Sequence, residues 1–130
     1  MHKTKIRLNR LFNYIVGEKF YKKISFVWND KPSRLEIIKK IINLNNYKEY
    51  LEIGCDNDQV FSNIDLESKL GIDPISGGNI RKTSDEFFLS NTKKFDIIFI
   101  DGLHTYEQVK KDIKNSLNFF NPKGVIILHD

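Results

Sequence analysis

The stretch Phe95-Asp96-Ile97-Ile98-Phe99-Ile100 is apolar on both of its faces, a pattern suited to a strand covered on both sides of a parallel sheet. Other short runs resemble it: Tyr50-Leu51-Glu52-Ile53, Lys69-Leu70-Gly71-Ile72-Asp73 and Val125-Ile126-Ile127-Leu128. Segments with helical spacing separate them. Strands that look buried and alternate with helices predict an α/β fold with a doubly wound, mostly parallel sheet. Asn79 to Lys82 reads as a weak additional strand, for about five in all.

The helices carry their own punctuation. Ser33 follows Pro32 and precedes Glu36 by three residues, the spacing at which two side chains satisfy each other's backbone N–H groups. Leu35, Ile38, Ile41 and Ile42 then form an apolar stripe that stops at Asn45 and Asn46. Thr105 and Gln108 repeat the capping spacing, and Tyr106, Val109, Ile113 and Leu117 are predicted to form one buried side of the next helix. A short helix is expected over Asp85 to Leu89. Near the start, Leu8, Leu11, Phe12 and Ile15 suggest a basic helix.

A chain of 130 residues is about the size of one domain. Its 40% hydrophobic and 29% charged residues are those of a globular protein. The apolar runs are too short to cross a bilayer, and no signal-peptide cleavage pattern follows the basic start, so a cytoplasmic location is expected. The single cysteine, Cys55, excludes an internal disulfide framework and a multi-cysteine zinc site. Cys55 reads as a small loop filler. The charge is lopsided, with 12 Lys/Arg against 4 Asp/Glu in residues 1–50 and 9 against 13 in residues 51–130. A basic first third suggests an anionic partner such as nucleic acid, lipid headgroups or the chain's own acidic part, but a solvated helix face is the preferred reading, and without a basic–aromatic repeat nucleic acid is not an expected partner.

In a doubly wound sheet, ligands bind beyond the carboxyl ends of the strands, where strand order reverses. Here nearly every strand end carries an acid: Glu52 with Asp56 and Asp58, Asp73, Asp85, Asp101, and Asp130 after His129. Asp73 lies 19 residues beyond Gly54, the spacing at which a nucleotide-binding βαβ unit offers an acid to ribose hydroxyls. The loop after the first strand lacks the GxGxxG pattern, and its Asp56 and Asp58 would repel a pyrophosphate. A ligand with adenosine, a sulfonium and an ammonium suits that loop better, as S-adenosylmethionine does. An NAD-dependent enzyme is the weaker reading.

The ordered set YLEIGCDND, KLGIDP, TSDEFF, KFDIIFIDGLHTYEQVKKDI and NPKGVIILHD resembles the class I S-adenosylmethionine-dependent methyltransferases. Within them it is most similar to the type-24 methyltransferase domain, a branch that includes metal-dependent O-methyltransferases of sugars and natural products. The likeness covers about residues 49–130. It implies that Glu52 and Gly54 line the methionine part of the cofactor, that Asp73 takes the ribose hydroxyls, and that Ser84 and Asp85 flank adenine. It also implies Asp101 beside the cofactor and, with Asp130, as a ligand of Mg²⁺, and His104 as the general base. Neighbouring strands lie about 4.8 Å apart, so two strand-end carboxylates can share one hard cation. His129 is expected to be packed rather than to bind metal. Residues 1–47 would be a basic helical segment packing on the core, and residues 48–130 the cofactor-binding core.

The function implied is methylation of a hydroxyl on a sugar or small molecule, assisted by Mg²⁺ and a His base. Relatives carry a second glycine near position 58, so Asp58 is expected in a left-handed backbone with its side chain needing room. Whole members of the fold continue with another helix and two strands, so the chain reads as truncated. Val125 to Leu128 would then be a bare edge, prone to self-association. The rival from another class is a non-catalytic, degenerate methyltransferase-fold module acting through its basic N-terminal third.

Overall fold

The computed structural model describes residues 29–129. The elements are α1 (Arg34–Asn45), β1 (Glu49–Ile53), a 3-10 turn (Phe61–Asn63), β2 (Ser68–Ile72), α2 (Ser84–Ser90), β3 (Phe95–Ile100), α3 (Tyr106–Asn118) and β4 (Phe120–Leu128). All of these elements lie in one compact unit, Pro32–Asp130. The basic helix expected around Leu8 to Ile15, and Asp130, lie outside the described residues.

The four strands run in the order β2-β1-β3-β4, and every pairing is parallel. From β1 the chain moves outward to β2, crosses back to β3 and goes on to β4, so strand order reverses between β1 and β3. The two-faced apolar character of β3 has the consequence expected of it. Ile97 and Phe99 join a core layer with Ile38 and Ile42 of α1, while Ile98 and Ile100 pack with Phe87 and Phe88 of α2. Each such buried side chain stabilises the fold by about 1.5–3 kcal/mol. The capping box of α1 forms as read, with Ser33 Oγ accepting from Glu36 N and Glu36 accepting from Ser33 N. A second box, Thr83 with Glu86, opens α2.

Three details differ from the sequence reading. The weak strand over Asn79 to Lys82 shrinks to one bridge, Ile72 to Ile80. The Asn79 side chain takes up the edge of β2 instead, accepting from Gly71 N and donating to the Lys69 carbonyl. The segment Asn121-Pro122-Lys123-Gly124 is absorbed into β4 as an irregularity. Pairing skips from Phe95 with Phe120 to Ile97 with Val125, Lys123 adopts φ 69°, and Tyr47 Oη donates to the Lys123 carbonyl. Finally, the expected stripe of α3 holds only in its middle, where Ile113 packs on the core, and fails at its ends. Tyr106 is 72% exposed and Leu117 54%, whereas Asp112 and Ser116 are buried. The inner positions recur every four residues, at Gln108, Asp112 and Ser116, and the first two meet Ser84 and Asp85 of α2.

Candidate active site

The sheet positions the site by closing its middle strands tightly at their carboxyl ends. Gly54 N donates to the Ile72 carbonyl and Asp101 N to the Ile53 carbonyl, both at 2.8 Å. Gly54 itself has φ +84°, and a Cβ there would stand 2.3 Å from the Asp101 carbonyl oxygen. Only glycine permits this approach of β1 to β3. The chain then turns through Asp56 (φ 45°) and Asp58 (φ 61°). The left-handed turn expected at Asp58 is present, and its side chain has found room by accepting from Gly78 N at 2.6 Å.

Asp73, at the end of β2, is held from several directions. One carboxylate oxygen accepts from Ile75 N (2.8 Å) and Ser76 N (2.9 Å), the other from Asp56 N (3.1 Å). Burial acts to raise its pKa, but these backbone donors and nearby Arg81 outweigh burial and hold it below the ordinary Asp range. The carboxylate thus joins the loops after β1 and β2, and one lone pair remains for a ligand hydroxyl.

Glu52 is buried and accepts from Tyr50 Oη at 2.5 Å. Burial raises its pKa to about 7, with the Asp101 and Asp58 charges adding to the rise and the Tyr50 hydrogen bond opposing it. Cys55 is buried, and burial together with the Glu52 charge pushes its thiol pKa up, in keeping with a filler. At the other end, Ser84 Oγ donates to Asp112 Oδ1 (2.6 Å), and Gln108 Nε2 reaches Asp112 Oδ1 (3.0 Å) and Ser84 Oγ (3.2 Å). Lys111 grips Asp85 at 2.5 Å and holds its carboxyl low, while burial raises that of Asp112.

At the ends of β3 and β4, Asp101 gathers three cationic or N–H-bearing groups. Arg34 Nη1 donates to its Oδ2 at 2.7 Å. Its Oδ1 lies 3.0 Å from His129 Nδ1 and 3.6 Å from His104 Nε2. Asp101 and His104 therefore meet, as read from the sequence. His129 does not pack away; it turns to the same carboxylate, because its backbone N–H continues the β3 pairing onto the Ile100 carbonyl. Arg34, Gln108 and Asp112 were not read as site residues. Nothing in the local pattern flags Arg34, the first residue of α1. Asp112 did leave a trace: it falls on the helical face of Val109, Ile113 and Ser116, an odd place for an unpaired acid.

These groups line one cavity of about 690 Å³. Glu52, Gly54, Asp73, Ser84, Asp85, Asp101 and His104 all border it, with Asp56 and Asp112, and Arg34 is its one guanidinium or ammonium. So acidic a wall suits a ligand bearing positive charge and disfavours a pyrophosphate. Mg²⁺ fits less well. It asks for an octahedron of oxygens, whereas Asp101 faces two imidazoles and a guanidinium.

A doubly wound sheet with an acidic cleft at its switch point defines an α/β domain whose ligand site lies at the carboxyl ends of its strands. Residues 41–130 match the family model described as a methyltransferase domain, and the chain belongs to that family, whose members generally use S-adenosylmethionine. Neither the curated proteins nor the solved structures yield a match. Among the described residues, no helix is long and apolar enough to cross a membrane.

Proposed function

We propose that this domain carries a methyl group from S-adenosylmethionine to a hydroxyl of a sugar or other small molecule, with His104 as the base. The observation that carries the reading is the position of His104: its Nε2 stands 3.6 Å from the Asp101 carboxylate on the wall of the same cavity that Glu52, Gly54 and Asp73 border. Bound S-adenosylmethionine would supply a methyl carbon activated by its sulfonium. Glu52 and Gly54 take the methionine end, Asp73 the ribose and Ser84 with Asp85 the adenine. His104 Nε2 accepts the proton of the acceptor hydroxyl as that oxygen becomes nucleophilic. Asp101 then faces an imidazolium, which its negative charge stabilises. No role is given to Mg²⁺.

Calorimetric titration with S-adenosylhomocysteine and with NAD tests the cofactor. Binding of the first and none comparable of the second is expected; equal affinities would end the assignment. On the described sheet β4 pairs only with β3, and its open edge is the proposed place for a second copy of the chain. Sedimentation across a concentration series checks this, a monomer throughout being the contrary result.

A further inference from the structure

We propose that Arg34 takes the α-carboxylate at the methionine end of the cofactor, and so distinguishes intact S-adenosylmethionine from its decarboxylated form. The inference rests on the reading of the cleft as a site for that cofactor. The methionine end carries two opposite charges, an ammonium and a carboxylate, and the cavity offers them unequal choices. An ammonium finds acids such as Glu52, Asp56 and Asp101 on the wall, whereas a carboxylate finds one cation among the described residues there, Arg34. Anywhere else it would lie against groups that repel it.

Position agrees with charge. Arg34 opens α1, ahead of β1, and its guanidinium links the end of β3 to the loop after β1. Nη1 donates to Asp101 Oδ2 at 2.7 Å, and Nη2 to Gln59 Oε1 at 3.4 Å. The main chain of Asp101 is pressed against the start of that same loop. Its N–H bonds the Ile53 carbonyl, and a Cβ on Gly54 would meet its carbonyl oxygen at 2.3 Å. The guanidinium is thus tied to the strand ends beside Gly54, to which the methionine end is assigned.

Asp101 orients Arg34 without using it up. A guanidinium has five N–H groups in a planar fork, and among the described residues Arg34 uses two. The others suit a carboxylate, which takes two parallel bonds from such a fork. Arg34 borders the cavity with 37% of its side chain exposed, so an entering ligand can reach it. Always charged, it offers that bond at any working pH. The adjoining Asp101 carboxylate suits the ammonium of the same end, so the pair complements both charges of an amino acid.

Calorimetry on the full chain tests this with two probes, S-adenosylhomocysteine and its decarboxylated analogue, which keeps the amine and lacks only the carboxylate. The parent should bind the first about 10–150-fold more tightly, the worth of a hydrogen bond between charged groups. Arg34→Ala should abolish that preference by weakening S-adenosylhomocysteine alone. The analogue, freed of a cation near its ammonium, should bind as well as before or better. Circular dichroism checks that the variant folds, and the parent's own preference tests the proposal even where it does not. Equal affinity of the parent for both probes, a preference that survives in Arg34→Ala, or a loss shared equally by both probes would each overturn the assignment. The shared loss is what a merely structural pairing with Asp101 predicts. Failure of both probes to bind the parent sinks the cofactor reading and this assignment with it, whereas equal, measurable binding of both sinks the assignment of Arg34 alone.

Discussion

The two halves of the cleft are built differently. On the β1–β2 side, acids are fastened to the backbone: Asp73 accepts three main-chain N–H groups and Asp58 accepts one. On the β3–β4 side, the charged groups meet each other through side chains alone, with Arg34, His104 and His129 around Asp101. His104 and His129 keep about half their side-chain surface exposed, at 54% and 40%. A carboxylate held by main-chain donors keeps its place whether or not a ligand is present. Half-exposed imidazoles beside a carboxylate leave ring nitrogens within reach of an acceptor molecule. The first half is thus suited to holding an invariant cofactor, the second to chemistry that needs movement.

The sharpest way to break this contrast is His104→Ala. If the chemistry resides on the β3–β4 side, methyl transfer falls by about 10²–10⁴-fold, the contribution of a general base, while affinity for S-adenosylhomocysteine, measured by calorimetry, stays the same. A parallel loss of cofactor affinity would show that the halves are not separable.

Glu52 probes the boundary between them. Its folded pKa of about 7 stands above the ordinary glutamate value of 4.5. The folded state therefore holds that proton more tightly than the unfolded chain does. The stability this confers is fully present below about pH 4.5 and is lost as pH rises through about 7, a change of about 3 kcal/mol. Glu52→Gln removes the titration, so at pH 8 its thermal midpoint should exceed that of the parent. Its affinity for the positively charged cofactor should fall at the same pH. A midpoint that follows the parent at every pH would show that Glu52 carries no such burden.

Asp73→Ala tests the fastening itself. Loss of a charged hydrogen-bonding group is expected to weaken S-adenosylhomocysteine by about 1.5–3 kcal/mol. Because Asp73 also ties the loops after β1 and β2, hydrogen exchange at Asp56, Ile75 and Ser76 should speed up. Weakened binding with unchanged exchange would mean that the loops hold by other means.

What could be read beforehand follows the same division. The strands, the capping of α1 and the acids at the strand ends were legible because each depends on near neighbours: period, cap spacing and a carboxylate right after an apolar run. Asp73 stood out by its distance from Gly54. Arg34 was invisible because its partner lies 67 residues away and nothing near it in sequence demands an acid. His129 was misjudged because a residue just past a strand can face either side, and the deciding contact is again with Asp101. The apolar stripe of α3 misled for a different reason. Ile113 of that stripe does pack on the core, but Ser84 makes the neighbouring surface partly polar, so Asp112 goes inward while Tyr106 and Leu117 at the stripe's ends stay outside.

The smallest effect is expected at Asp58. Two contributions oppose each other there. A left-handed backbone costs a side-chain-bearing residue roughly 1–2 kcal/mol, less for Asp than for most, and Asp58 sits at φ 61°. Against this, its carboxylate accepts from Gly78 N at 2.6 Å, and a hydrogen bond to a charged group contributes about 1.5–3 kcal/mol. Asp58→Gly relieves the first and forfeits the second, leaving a net loss of roughly 1–2 kcal/mol. Because the side chain points to Gly78 and does not border the cavity, cofactor affinity should not change. Denaturant unfolding and calorimetry on the same variant check both parts. A large gain in affinity for S-adenosylhomocysteine would mean that Asp58 obstructs the cofactor, and that the backbone-fastened half of the cleft is not yet shaped for it.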